Sequence, residues 1–123
     1  LRIGERAYTV NCAPCHLADG RGLPDTAAPL AGSKWVLGPD ALAARIVLLG
    51  KQGKVALMPP WGNVLDDRQI AAILTYVRRQ WGNHAPSVLP ETVRKVRSEI
   101  RTKSGFWTDE SLTEEAARLG LKP

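Results

Sequence analysis

Hydrophobic residues recur at helical rather than strand spacing along most of this chain. Ile3, Ala7, Tyr8 and Val10 share one side of a helix predicted over residues 2–13, which runs into Cys12. Residues 19–38 lose the period and are rich in Gly, Pro and Ala, so they read as loop. Pro39 suits the first turn of a helix over "DALAARIVLLG", and Gly50 suits its C-terminal cap. Residues 51–64, with Gly53, Pro59, Pro60 and Gly62, return to loop. The strongest pattern is "LDDRQIAAILTYVRRQWG". There Asp66 is placed to cap the helix, and Gln69 to bond back to it. Leu65 and Ile70 take the staple positions, and Ile70, Ile73, Leu74 and Val77 form the buried stripe. Arg78 and Arg79 fall in the last turns, where positive charge is favourable, and Gly82 ends the helix.

Beyond His84, "APSVLP" reads as a linker. Val93, Val96 and Ile100 then repeat at helical spacing, and "TDESLTEEAARLG" reads as a last helix capped by Thr108 or Thr113. No alternating run of useful length occurs. The fold class is therefore all-α with long loops. The predicted division is a domain over residues 1–84 and a helical extension over residues 85–123, packed back on it. Val93, Val96, Ile100, Phe106 and Trp107 need burial, and the first domain supplies the nearest surface.

The chain has 123 residues and a formal charge of +5, of which +4 falls in residues 1–84 and +1 in residues 85–123. No dense Lys/Arg stripe with interleaved aromatics appears, which argues against nucleic acid as a partner. No apolar run reaches the ~20 residues of a membrane-spanning helix. The longest is broken by Arg45. A start at Leu1 without Met, and without a signal peptide, is what a processed or excised piece would show. The aromatic residues are four Trp, two Tyr and one Phe, a bias that suits packing against something flat and partly polar.

The chemistry concentrates in "NCAPCH", residues 11–16. A disulfide between Cys12 and Cys15 would close too short a ring to constrain the unfolded chain much. A redox dithiol needs a βαβ setting that is lacking here. Zinc wants four ligands, and His84 alone remains to add to three, two of which are adjacent in sequence. Covalent haem fits best. Two thiols one helical turn apart can add to the vinyl groups on one edge of the ring, and His16 then falls beneath it as an iron ligand. The sixth position goes to Met58, the chain's one methionine, in the proline-stiffened "LMPPWG". A lone methionine is otherwise ordinary core filling. The competing ligand is His84, in the polar turn "GNHAP".

With these residues, the chain resembles a class I c-type cytochrome over about residues 3–82. "CAPCH" is similar to the family's haem attachment site. Gly4 and Tyr8 are similar to its first helix, and "ILTYV" to its last, with Ile73 and Tyr76 as the contacts. "APLAG" resembles the loop whose proline, here Pro29, offers a carbonyl to the proximal histidine. "MPPW" resembles the methionine-ligand loop. The resemblance implies a cytochrome c fold wrapped around one haem c. It gives Trp35 and Trp61 haem-facing roles, Trp35 as donor to a propionate. The implied function is one-electron transfer, not catalysis, with a dehydrogenase, reductase or oxidase as redox partner. It also implies a periplasmic or otherwise extracytoplasmic place, and a monomer or a domain of a larger chain. The alternative is a haem c enzyme or gas-binding sensor with a labile sixth ligand. The segment beyond residue 84 resembles tails on cytochrome modules attached to, or acting with, periplasmic dehydrogenases, quinone-cofactor sugar and alcohol dehydrogenases among them.

Overall fold

Helices dominate the computed structural model, which describes residues 2–54 and 56–123. In chain order they are α1 (Arg2–Asn11), α2 (Ala13–His16), α3 (Lys34–Leu37), α4 (Asp40–Leu49), α5 (Asp67–Val77), α6 (Pro90–Glu99) and α7 (Asp109–Leu119). Two short strands, β1 (Lys51–Gln52) and β2 (Leu57–Met58), pair antiparallel with Lys51 opposite Met58. The all-α reading therefore holds, with a hairpin inside the expected loop at 51–64 and a helical turn inside that at 19–38. The turn α3 has a local cause: the Ser33 hydroxyl accepts from the Val36 N–H.

α1 and α5 cross at Gly4. A Cβ on Gly4 would lie 2.2 Å from the Ala72 carbonyl oxygen and 3.0 Å from the Tyr76 Cβ, so only glycine permits this approach. The buried side of α1 is consequently Gly4 and Tyr8, while Ile3 and Val10 are exposed. This corrects the stripe expected from sequence: the helix docks by its smallest residue, and the apolar positions on other sides are left to solvent. Tyr8 stacks against Tyr76 and Trp81, each with ring centroids 5.4 Å away.

α5 starts with the expected capping box between Asp66 and Gln69. It stops earlier than expected, at Val77, and Arg78 is not a solvated end charge. Arg78 is buried; its guanidinium donates to the carbonyls of Val36 and Gly38, both at 2.8 Å, and of Pro86 at 2.9 Å. Two carbonyls at the end of α3 and one from the segment after α5 thus find one donor group, which satisfies backbone oxygens that burial would otherwise leave unpaired.

α6 lies on α4 and α5. Val93, Val96, Ile100, Trp107, Leu112 and Ala116 are all buried. The charge that broke the apolar run, Arg45, is fully buried on α4. It donates to Glu99 at 2.7 Å, to Glu115 at 2.8 Å and to the Ala41 carbonyl at 3.0 Å. A buried guanidinium is tolerable only with such partners, and two of the three come from beyond residue 84. Arg97 of α6 likewise reaches Asp67 at 2.9 Å. Thr108, not Thr113, caps α7, in a reciprocal arrangement with Ser111. Phe106 is half-exposed while its neighbour Trp107 is buried. Trp107 pairs with Lys51 as extended chain, and successive side chains there point to opposite sides.

Candidate functional site

α1 delivers Cys12, and the single turn α2 carries Cys15 and His16. The His16 N–H bonds to the Cys12 carbonyl at 2.9 Å. The turn ends sharply, with Leu17 in the left-handed region at φ 66°. Two aromatic donors pin that exit: Tyr8 Oη to the Leu17 carbonyl at 2.6 Å, and Trp81 Nε1 to the Ala18 carbonyl at 2.9 Å. The aromatic cluster that joins α1 to α5 therefore also fixes the direction of His16.

Burial lowers the pKa of His16, so the imidazole is neutral at ordinary pH, although its backbone bond opposes this. Its Nδ1 lies 2.9 Å from the Ala28 carbonyl oxygen. A carbonyl only accepts, so Nδ1 carries the hydrogen and Nε2 keeps its lone pair for a metal. The carbonyl expected here was that of Pro29. The structure moves it back one residue, to Ala28, and the reason is the course of the loop. The Ala27 carbonyl is taken by the Leu23 N–H at 3.0 Å. Successive carbonyls of extended backbone alternate in direction, which turns Ala28 towards the histidine. Pro29 lines the cavity beside it.

Asn83, which nothing in the pattern singled out, holds this loop in place. Its side chain accepts from the Gly32 N–H at 2.8 Å and donates to the carbonyls of Leu30 at 3.2 Å and Val77 at 2.8 Å. It is 2 % exposed. The available signal is an amide next to Gly82, the glycine expected to end the helix.

Burial, with Cys15 nearby, pushes the Cys12 thiol up to about 11. Such a thiol is a poor thiolate nucleophile. Among the described residues, no group of three or more His, Cys, Asp and Glu side chains gathers as a metal site, so the zinc reading lacks its ligands. Cys12 is half-buried and Cys15 exposed.

Met58 enters from the opposite part of the chain, on β2. Gly50, at φ 81°, makes this possible: a Cβ there would lie 2.5 Å from the Met58 carbonyl oxygen. Trp61 follows two prolines later, and its N–H bonds to the Val47 carbonyl at 2.9 Å. Cys12, Cys15, His16, Pro29, Trp35, Met58 and Trp61 all line one cavity, whose other walls include Val36, Ile46, Val47, Leu74 and Val77. His84 is exposed and lines no part of it.

Trp35 is on the wall, but its indole N–H is engaged. It donates to Asp109 at 3.0 Å, and the same carboxylate oxygen lies 2.9 Å from the Lys51 ammonium. Those two bonds, that of Lys51 first, hold the Asp109 carboxyl below its ordinary range. The expected donation from Trp35 to a propionate thus meets a competitor from α7 that the sequence did not advertise.

The donor set suits haem c. Two thiols one turn apart stand at one side of an apolar cavity. A neutral imidazole with its outer nitrogen already bonded and a thioether from another loop face the same space. Among the described residues, no group of three or more His, Cys, Asp and Glu side chains competes for it.

Comparison with known proteins agrees. Residues 1–77 match the family model described as cytochrome c oxidase, cbb3-type, subunit III. The cytochrome c subunit of a quinone alcohol dehydrogenase from Gluconobacter oxydans is 33% identical over 77% of this chain and 22% of its own length. The cbb3-type cytochrome c oxidase subunit FixP of Bradyrhizobium diazoefficiens is 34% identical over 64% of this chain and 27% of its own. The chain thus spans about a quarter, or less, of those two relatives. Cytochrome c-552 of Thermus thermophilus is 29% identical over 97% of this chain and 98% of its own length.

Proposed function

The chain belongs to the c-type cytochrome family that the cbb3-type subunit III model describes, and from that premise we propose that it carries single electrons on a covalently held haem c with His16 and Met58 as axial ligands. Haem c supplies the one-electron couple between Fe(II) and Fe(III). The chain's own residues do the rest. Cys12 and Cys15 tether the group, His16 offers Nε2, and the Ala28 carbonyl fixes the ring and raises its basicity. Met58 offers a soft thioether, which favours the reduced metal. Val36, Ile46, Val47 and Leu74, with Trp35 and Trp61, keep the cavity apolar, so water is excluded and little reorganises on electron transfer.

The observation that carries this reading is the His16–Ala28 bond within a cavity that also receives Met58. Residues 1–84 form the haem domain, and residues 85–123 a helical extension on it. The redox partners are a dehydrogenase, a reductase or an oxidase. Relatives that are subunits of a quinone alcohol dehydrogenase and a cbb3-type oxidase support that choice. The place is the periplasmic or other extracytoplasmic side, where haem is attached to CxxCH in this family.

Methionine ligation is tested in the ferric protein. Met58→Ala abolishes the weak sulfur-to-iron band at the red end of the spectrum and lowers the reduction potential, and His84→Ala does neither. The reverse pattern would move the ligand to His84.

A further inference from the structure

We propose that residues 107–109 of the C-terminal extension are a brace on the Met58 hairpin, so that the extension governs how readily the sixth ligand lets go. This rests on the reading of Met58 as that ligand. β1 is the shared element. One edge of it pairs with β2, placing Lys51 opposite Met58. The other edge takes Trp107 as a parallel bridge to Lys51. The Trp107 N–H donates to the Gly50 carbonyl at 3.0 Å, and its carbonyl accepts from the Gln52 N–H at 2.8 Å. Two residues on, the Asp109 carboxylate grips Lys51 and Trp35 together. Both of these side chains line the cavity.

A hairpin of two residues a side is marginal alone. Here it gains two backbone bonds and an ion pair from a segment itself well anchored. Trp107 is 3% exposed, and Leu112 and Ala116 of α7 are fully buried. Glu115 ties the same helix to Arg45. Where β2 shifts as Met58 lets go, it shifts against this anchored segment, to which it is bonded through β1. The bland reading is that the same bonds merely fasten the extension. The two readings differ in whether ligand exchange responds to them.

The test uses ferric holoprotein and imidazole, which replaces the Met58 thioether without a change of oxidation state and is followed by loss of the sulfur-to-iron band. Asp109→Ala should take up imidazole roughly three- to tenfold faster, the range expected for losing a half-exposed charge-assisted pair. Val93→Ala, a cavity in buried α6, should lower the melting temperature and leave the imidazole rate at the wild-type value. A wild-type rate in Asp109→Ala overturns the brace, and so does an equal acceleration by Val93→Ala at a matched loss of melting temperature. Met58→Ala separates the premise: retention of the band there removes the ligand assignment, whatever Asp109→Ala does. Native-state hydrogen exchange on the wild-type holoprotein is independent of any variant. The Gln52 and Trp107 amides should be protected together, and exchange at the solvent rate would overturn the brace.

Discussion

At the scale of single residues, the chemistry was legible where it is written in spacing and hidden where it depends on backbone direction. Cys12, Cys15 and His16 announce themselves because three reactive groups in five residues have few uses. Met58 stands out because it is the chain's one methionine and is stiffened by proline, and it lines the same cavity as His16. The carbonyl that orients His16 was misplaced by one residue, since a proline draws the eye but the loop's alternation selects Ala28. Trp35 shows the same limit. Its indole was assigned a partner inside the cavity, and the chain supplies one 74 residues away. Asn83 gives the test at this scale. Asn83→Ala leaves the Gly32 N–H and the Leu30 and Val77 carbonyls without their partner in a buried place. The expected loss is on the order of 1–3 kcal/mol, read from denaturant unfolding of the holoprotein. A loss confined to a few tenths would show that water replaces the amide and that the loop does not depend on it.

At the scale of elements, periodicity found the long helices, and the caps at Asp66 and Gly50 marked their ends. It missed α3, which a local Ser33 cap sets, and the hairpin, since both are too short to show a period. In α1 it placed Tyr8 correctly but added Ile3 and Val10, which are exposed, because a stripe count ignores what a glycine permits. Gly4→Val tests the corrected face. The added side chain must displace the backbone of α5, not a flexible tip, so the holoprotein should lose ~1–3 kcal/mol or more to overpacking. An unchanged melting temperature would mean that α1 can slide without loss. The cap of α7 is a milder case. Thr108→Ala removes the hydroxyl that accepts from the Ser111 N–H and should cost ~1 kcal/mol.

For the whole molecule, the extension was legible as apolar helices in need of a surface, but not the means by which Arg45 receives them. Glu115 is held down to about 2 by Arg118 and, next, by Arg45. A carboxylate whose pKa is lowered on folding stabilises fully above its ordinary value, and the benefit fades as pH falls from 4.5 toward about 2. Glu115→Gln should therefore melt below the wild type at neutral pH, with the gap closing through that acid window. A gap independent of pH would assign the effect to packing alone. Limited trypsin digestion should leave the bonds between Arg94 and Lys103 intact in the folded holoprotein. The net charge of residues 1–84, +4, is offset in part by haem propionates. Electron transfer to an acidic partner should accordingly slow only mildly as salt rises.

The central claim is that both axial positions are filled by the chain, which makes the protein a carrier of electrons and not a binder of small ligands. It is tested most directly by the visible spectrum of the ferrous protein before and after carbon monoxide is added at neutral pH. With His16 and Met58 both bound, the Soret band stays where it was, while Met58→Ala under the same gas shifts at once. A prompt shift in the wild-type protein, comparable to that of Met58→Ala, would contradict the account and make the sixth position a site for exogenous ligands.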